Sequence, residues 1–474
     1  MATSPQSGQA TELKKTVNFK QCTAILIALT GHIAIFIRPS DILANIGSIG
    51  GFFIFLLVSG LTCLLLALCF AEVGTIYPKA GGPYAFVLIV FGSLPAFIIM
   101  WGYICLIVGP FWVIMAHTAV LYLVKPFYPN CDPPETVLKL LTAWTLVTVV
   151  VINCLYMKYI TRVQTFLSGT KMVAMLILII VGLIQFAQVH SLAGNVDSIV
   201  PSPQTTKTAR WHFPVSTAHI KQSAIISSGS VVVLEIFVYV PLSLYTSFAV
   251  LIGFYILNNM AYLTLLTPQE MIHSNAVALM FTDRVAPPLT PVISILVAVA
   301  AIGVLNASIL GHSRLAFAAA RSGHLPRVFC MINRKYLTPW PAIGLLLLIS
   351  LTMLFTGSVS LLVDFISFFS IFLSLTVVCC LLFLRWSQPN IHRPLKLNLA
   401  IPISQLFVTI FVEALAIYTR PRKLGLAILI VAAGLPVYWV GVCWKNKPRM
   451  IRRISDQITR VIQCVFDVNY PQNI

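Results

Sequence analysis

Long apolar runs separated by short polar segments dominate the pattern of the chain. A helix that crosses a bilayer needs about 20 predominantly apolar residues, and most of the runs reach that length. The runs are continuous and do not alternate with period two, so they predict helices and not the strands of a membrane barrel. Twelve spans are predicted, of which the sixth is short and weak: 22–43, 47–71, 94–124, 138–157, 168–189, 224–240, 241–266, 288–312, 340–356, 359–384, 398–418 and 424–443.

The distribution of Lys and Arg predicts how these spans are oriented. With a cytoplasmic N-terminus and twelve spans, the inner segments hold about twice as many Lys and Arg as the outer segments, which is the expected bias. If 224–240 did not cross, the basic segment 321–335 and the basic C-terminus would face outward. We therefore expect the weak sixth run to cross and both termini to be cytoplasmic.

The same pattern predicts one membrane domain flanked by two tails. Residues 1–21 form a polar tail without the features of a signal peptide, and 22–443 form the transmembrane domain. Residues 444–474 form a second tail, in which apolar residues at helical spacing alternate with Arg. This pattern is typical of an amphipathic helix on an anionic lipid surface.

Composition narrows the class of protein. Hydrophobic residues make up 58% of the 474 residues and charged residues 9%, whereas soluble proteins carry about 25% charged residues. A soluble enzyme, a secreted protein and a nucleic-acid-binding protein are therefore disfavoured. The net charge of +18 reports orientation in the membrane and does not indicate a nucleic-acid partner. We expect no cofactor, because no Cys/His spacing typical of a metal site occurs.

One of the eleven cysteines stands apart from the others. Cys131 lies in a predicted outer loop, in FYPNCDPPE, whereas the others fall in spans or in cytoplasmic segments. A solitary thiol in an oxidising compartment indicates pairing with another chain, and a free thiol is the alternative.

Eight stretches spaced along the chain resemble one family. They are ALCFAEVGTIYPKAGGPYAF (67–86), FGSLPAF (91–97), FYPNCDPPETVLKLL (127–141), INCLYMKYITRVQTF (152–166), LTPQEM (266–271), SRLAFAAARSGHLP (313–326), RPLKLNLAIP (393–402) and GLPVYWVGVCWKNKP (434–448). Together they resemble the LAT-type light subunits of heteromeric amino acid transporters, in the amino acid–polyamine–organocation superfamily. The last stretch is most similar to the system L branch, which carries large neutral amino acids.

The resemblance implies a fold and a partner. The fold is an all-α polytopic LeuT-type fold of two inverted five-helix repeats, with the first and sixth helices broken at the midplane. The partner is a single-span glycoprotein heavy chain, joined through a disulfide at Cys131 in the plasma membrane. Lys171 matches the position at which an amine fills the sodium site of sodium-coupled relatives, which implies Na⁺-independent exchange. The alternative interpretation of Lys171 is a side chain that extends to the membrane–water interface.

Helix breaks free backbone groups that can bind the carboxylate and ammonium of an amino acid substrate. By this resemblance we predict substrate-binding residues in the first, sixth and tenth spans: Gly31, His32, Ile35, Phe36, Ser228, Gly229 and Ser370.

The same spans also depart from the family. His32 and Ala34 replace paired glycines, the sixth run is shorter, and Ser370 and Ile371 replace a pair that ends in Trp. His32 is a hydrogen-bond donor or pH sensor in one interpretation and a packed helix residue in the other. Two functions follow: exchange of neutral amino acids, or a transport-deficient interaction subunit that assembles with the heavy chain.

The motif RSGHLP, in a predicted cytoplasmic loop, also matches the family. Arg321 and His324 are expected to support gating contacts, and a solvated loop is the alternative. No motif supports an unrelated channel or receptor.

Overall fold

The computed structural model describes residues 39–77, 81–128, 133–155, 157–193, 240–274, 276–336, 338–444 and 449–469. In these ranges the strands are the two-residue β1 (Ile332–Asn333) and β2 (Val468–Asn469), and the rest of the regular structure is helical. The α-helices are α1 (Pro39–Ile46), α2 (Ile49–Ile76), α3 (Pro83–Phe91), α4 (Ser93–Gly102), α5 (Gly109–Val124), α6 (Glu135–Leu155), α7 (Met157–Ala193), α8 (Val240–Leu263), α9 (Pro268–His273), α10 (Val277–Val285), α11 (Thr290–Arg321), α12 (Trp340–Thr356), α13 (Val359–Ser387), α14 (Ala400–Thr419), α15 (Pro421–Ala432), α16 (Gly434–Tyr438) and α17 (Arg449–Phe466).

Shorter helical turns complete the fold. A π-helical segment, Tyr103–Val108, joins α4 to α5, and a second one, Trp439–Cys443, follows α16. Short 3₁₀ turns occur at Lys125–Phe127, Pro287–Leu289 and Arg327–Cys330.

The described helices confirm the all-α polytopic fold. Nine helical stretches of the described chain are long and apolar enough to cross a membrane, and α12 is a shorter apolar helix. These ten elements coincide with ten of the twelve predicted spans. The first span, 22–43, lies outside the described residues except for its last residues, in α1, and 224–240 lies outside them except for Val240, the first residue of α8.

Burial separates inner helices from outer ones. The stretch from α4 to α5, together with α11 and α13, is mostly buried, whereas α15 and α16 are largely exposed. Small residues let α11 approach its neighbours: a Cβ added at Gly303 would lie 2.8 Å from the Cβ of Leu167 in α7. Close approach of this kind is how helices pack in membranes, where lipid tails are as apolar as the helix surfaces.

A buried ion pair joins α2 to α13. The fully buried Glu72 carboxylate accepts two hydrogen bonds from Arg385, at 2.6 Å (Nη2 to Oε2) and 3.0 Å (Nε to Oε1). Arg385 also donates to the Leu397 carbonyl, and the Leu397 N–H donates to Glu72 Oε2 at 3.1 Å. The pair therefore sets the register of α2, α13 and the segment that enters α14.

Charged groups also meet at the opposite end of α13. Asp364 in the first turns of α13 is buried and accepts from Arg420 at 2.6 Å and from Lys423 at 3.1 Å. These two cations flank the start of α15, so the contact attaches α14 and α15 to α13.

The C-terminal helix is attached to the loop between α11 and α12. β1 and β2 pair antiparallel, and the Asn333 side-chain amide donates to the Phe466 carbonyl at 2.7 Å. Met450, Val461 and Val465 of α17 are exposed. The helix expected in the C-terminal tail is thus present with exposed apolar side chains, and its contact with anionic lipid stays a prediction.

Replacing Arg385 tests the importance of the buried pair. Arg385→Met leaves the Glu72 carboxylate buried without a counter-ion, so we expect a loss of stability of about 3–5 kcal/mol. The unfolding temperature of the detergent-solubilised protein measures it. Lys139→Met, which breaks the exposed pair between Lys139 and Glu135 (2.8 Å), is the control and should leave that temperature unchanged. Equal effects of the two substitutions on the unfolding temperature would contradict a stabilising role of the buried pair.

Candidate functional site

Two of the predicted site residues, Lys171 and Ser370, lie in the described chain. The remaining predicted positions lie outside the described residues, so their roles stay predictions: Gly31, His32, Ile35, Phe36, Cys131, Ser228 and Gly229.

Lys171 is enclosed by protein. Its side chain is 1% exposed, and it lies fourteen residues after Met157, the first residue of α7, which is about 21 Å along the helix. The helix begins before the predicted span boundary at residue 168, whereas its stretch that is apolar enough to cross a membrane is Gly169–Gln188. Lys171 therefore lies inside α7 and near the start of that span. This burial argues against a side chain that extends to the lipid interface, and the sodium-site role stays a prediction.

On the N-terminal side of Lys171, three amide side chains connect α6, α7 and α11. The Asn153 amide donates to Asn306 Oδ1 at 2.7 Å, and the Asn306 amide donates to Gln164 Oε1 at 2.6 Å. Gln164 in turn donates to the Gly303 carbonyl at 3.0 Å. Buried amides that satisfy one another in this way hold helices at a defined rotation and depth.

A buried histidine on α11 lies at the middle of the helical bundle. The Trp112 indole N–H donates to His312 Nδ1 at 3.1 Å. The rings of Tyr103 and Phe111 meet the imidazole edge-on, with centroids 5.6 and 5.9 Å away. His312 lies nine residues before Arg321, the end of α11, which is about 14 Å along the helix.

Sequence reasoning missed His312 because it ended the eighth span at that residue. The helix continues to Arg321, so a position expected at the interface lies deep in the bundle. The sequence did contain a signal for His312, because this polar residue lies at the edge of an apolar run. Polar residues within membrane spans are usually functional.

Ser370 lies on α13 beside the same π-helical segment. It is buried, and its hydroxyl has no hydrogen-bond partner in the described chain. The neighbouring Phe369 ring packs directly on Gly102, where a Cβ would have no space. Since α13 packs against Tyr103–Val108, Ser370 and His312 lie on two helices that flank one π-helical segment, a feature common at functional sites.

A second cluster lies around His324, in the loop after α11 that the sequence predicts to be cytoplasmic. His324 contacts the Tyr84 hydroxyl through Nδ1 at 2.9 Å and the Ser93 hydroxyl through Nε2 at 2.7 Å. Tyr438 donates to Ser93 at 3.0 Å, and the Phe97 ring lies edge-on to the imidazole. The cluster joins α3, α4, α16 and the loop after α11, so His324 is packed, not solvated.

Arg321 differs from His324. Its side chain is exposed, and its guanidinium lies 6.0 Å from the centroid of the Phe317 ring. Of the two residues expected to support gating contacts, His324 thus makes the contacts that bridge separate helices.

Burial lowers the pKa of His324 below its ordinary value of 6.5. The unfolded chain therefore binds the proton more readily than the folded chain, and stability falls as the pH drops below about 6.5. We expect the unfolding temperature to decrease from about pH 7.5 to about pH 5.5, and His324→Gln to reduce that decrease. His392→Gln, at an exposed histidine, is the control. An identical pH dependence in wild type and His324→Gln would refute the expectation.

In the described part of the chain, no three His, Cys, Asp or Glu side chains converge where they could hold a metal ion. The described site therefore consists of neutral polar and aromatic side chains, together with the buried amine of Lys171.

Comparison with known proteins supports the architecture. The family described as amino acid permease matches residues 17–442. The Asc-type amino acid transporter 1 of Homo sapiens is 31% identical over 484 residues, which cover 99% of this chain and 90% of that protein. The cystine/glutamate transporter of Homo sapiens is 33% identical over 485 residues, with coverages of 98% and 92%. The large neutral amino acids transporter small subunit 2 of Rattus norvegicus is 31% identical over 487 residues, with coverages of 99% and 90%.

Proposed function

The chain belongs to the amino acid permease family, and we propose that it is the light subunit of a heteromeric transporter that exchanges neutral amino acids. The observation that carries this proposal is similarity along nearly the whole chain to three amino acid transporters. The proposed substrates are large or aromatic, the proposed exchange is Na⁺-independent, and the proposed location is the plasma membrane with cytoplasmic termini.

The charge of the described site favours neutral substrates. The relatives differ in the amino acids for which they are named, since one is named for large neutral amino acids and another for cystine and glutamate. Among the described residues of α4, α5, α11 and α13, Arg385 is the basic side chain that is mostly enclosed (12% exposed), and it is paired with Glu72. The buried amine of Lys171 lies on α7. The groups around the π-helical segment are aromatic or neutral, so an anionic substrate side chain would meet no cation on these helices.

Lys171 is the basis for proposing Na⁺ independence. We expect wild-type uptake of labelled leucine to be unchanged when Na⁺ is replaced by choline. Lys171→Ala should abolish uptake, because it leaves a space where the buried amine was. Lys139→Ala, at the partly exposed lysine of α6, is the control and should retain uptake. Full uptake by Lys171→Ala at equal surface expression would contradict this role.

The loop between α5 and α6 supports a partner on the outer side. Phe127 lies at the end of α5, next to the loop that contains Cys131, and its side chain is 82% exposed. Its exposure leaves this side chain accessible to a partner that binds the loop. We propose that a single-span glycoprotein heavy chain covers it and forms a disulfide with Cys131.

Cys131→Ser tests the covalent link. When the chain is co-expressed with a panel of single-span glycoprotein heavy chains, we expect a heterodimer on non-reducing gels that Cys131→Ser eliminates. Cys443→Ser replaces an exposed cysteine at the end of the last span and should retain the heterodimer. Loss of the link in Cys443→Ser alone would contradict the assignment.

The departures in the first and sixth spans favour a second candidate function. His32 and Ala34 stand where the family has paired glycines, and the sixth run is shorter than the family pattern. A transport-deficient interaction subunit would reach the cell surface with its heavy chain and show no saturable uptake. Insertion of a sixth segment of family length should then restore uptake, whereas robust uptake by the wild type would exclude this function.

A further inference from the structure

The hydrogen bond from Trp112 determines which nitrogen of His312 carries the proton. An indole N–H is a donor only, and it lies 3.1 Å from His312 Nδ1. Nδ1 is therefore the acceptor and carries no proton. The neutral ring then has its proton on Nε2, so Nε2–H is a hydrogen-bond donor.

This donor is buried and unpaired. His312 is almost fully buried, and Nε2 has no hydrogen-bond partner in the described chain. A buried donor without an acceptor costs free energy, and unpaired groups of this kind in a folded protein require an explanation. A ligand that carries a hydrogen-bond acceptor would pair with His312 Nε2–H.

The surroundings define the chemistry of that acceptor. The imidazole stacks on the Trp112 ring at 11° and meets the edges of Tyr103 and Phe111. A second proton on Nδ1 would oppose the indole N–H, so the ring acts as a neutral donor. Aromatic neighbours and a neutral donor suit an uncharged oxygen, since a carboxylate in this setting would lack a counter-ion.

A second unpaired group lies on the other side of the π-helical segment. The Ser370 hydroxyl is buried on α13 and has no partner in the described chain. Helix α13 packs on Tyr103–Val108, and Tyr103 at the start of that segment contacts His312. Helices α11 and α13, which carry His312 and Ser370, thus both contact this segment.

We propose that His312 Nε2–H binds the side chain of the transported amino acid and makes the site selective for side chains with an uncharged acceptor oxygen. The substrate class is that of asparagine and glutamine, preferred over aliphatic side chains of the same shape. This inference rests on the proposed transport function, because it concerns the side chain of the carried amino acid.

Asparagine and leucine are a matched pair, since their side chains have the same shape and differ in the amide. The test compares their apparent affinities in uptake by cells that co-express the heavy chain. It repeats the comparison as thermal stabilisation of the purified protein by each amino acid. We expect wild type to favour asparagine about tenfold, the value of one hydrogen bond to a buried group.

Substitutions of His312 distinguish the loss of its hydrogen-bond donor from the loss of its packing. His312→Phe keeps an aromatic side chain and removes the donor, so it should lose the preference for asparagine and retain leucine. His312→Gln provides both an acceptor for Trp112 and a donor, so it should keep the preference. His392→Phe replaces an exposed histidine and should behave as wild type.

Each outcome decides between the two proposals. Equal affinity of wild type for asparagine and leucine, or an unchanged ratio in a folded His312→Phe, would overturn the inference and leave the proposed function intact. If His312→Phe does not fold, the wild-type ratio and His312→Gln decide. If uptake is absent but asparagine still stabilises wild type more than leucine does, the transport function fails and the assignment of His312 holds. If neither amino acid is taken up or stabilises the protein, both fail.

Discussion

The buried ion pair of Glu72 and Arg385 determines the register of the helices around the site. Apolar contacts between membrane helices have no direction, and lipid tails compete for them. A two-pronged pair with a fully buried carboxylate has one favourable geometry, because any slip leaves a charge unpaired in a medium that solvates it poorly. The pair therefore places α13 against α2 at one end, and Asp364 with its two cations holds α13 at the other. Ser370, between these two contacts, has a defined depth as a result.

Helix α11 is positioned by different means. Its small residues let α7 approach closely, and the amides of Asn153, Gln164 and Asn306 satisfy one another across three helices. Amides can do this inside a membrane because they are neutral and pair without leaving a net charge. The same positioning leaves His312 beside the π-helical segment with one donor unpaired. Paired charges thus fix the two ends of α13, whereas neutral polar groups connect α11 to its neighbours.

The sequence predicted the ten spans that the structure describes, because a span of about 20 apolar residues is a property of one segment. It located their ends less well. The eighth span was ended at His312 and the fifth begun at residue 168, whereas α11 continues to Arg321 and α7 begins at Met157. A helix continues wherever its backbone hydrogen bonds form, and polar side chains outside the bilayer do not interrupt it. Hydropathy therefore underestimated the length of these helices, although the apolar stretch of α7, Gly169–Gln188, agrees with the predicted fifth span.

By itself the sequence determined the class of protein, the order of the described spans and the resemblance to a family, because these depend on composition and on patterns along the chain. Tertiary structure decided which polar residues meet. Glu72 and Arg385 are separated by 313 positions in the chain and Trp112 and His312 by 200, and no periodicity links them. The partners of a buried polar group are set by how several helices pack together, so the tautomer of His312 and its unpaired donor follow from the fold alone.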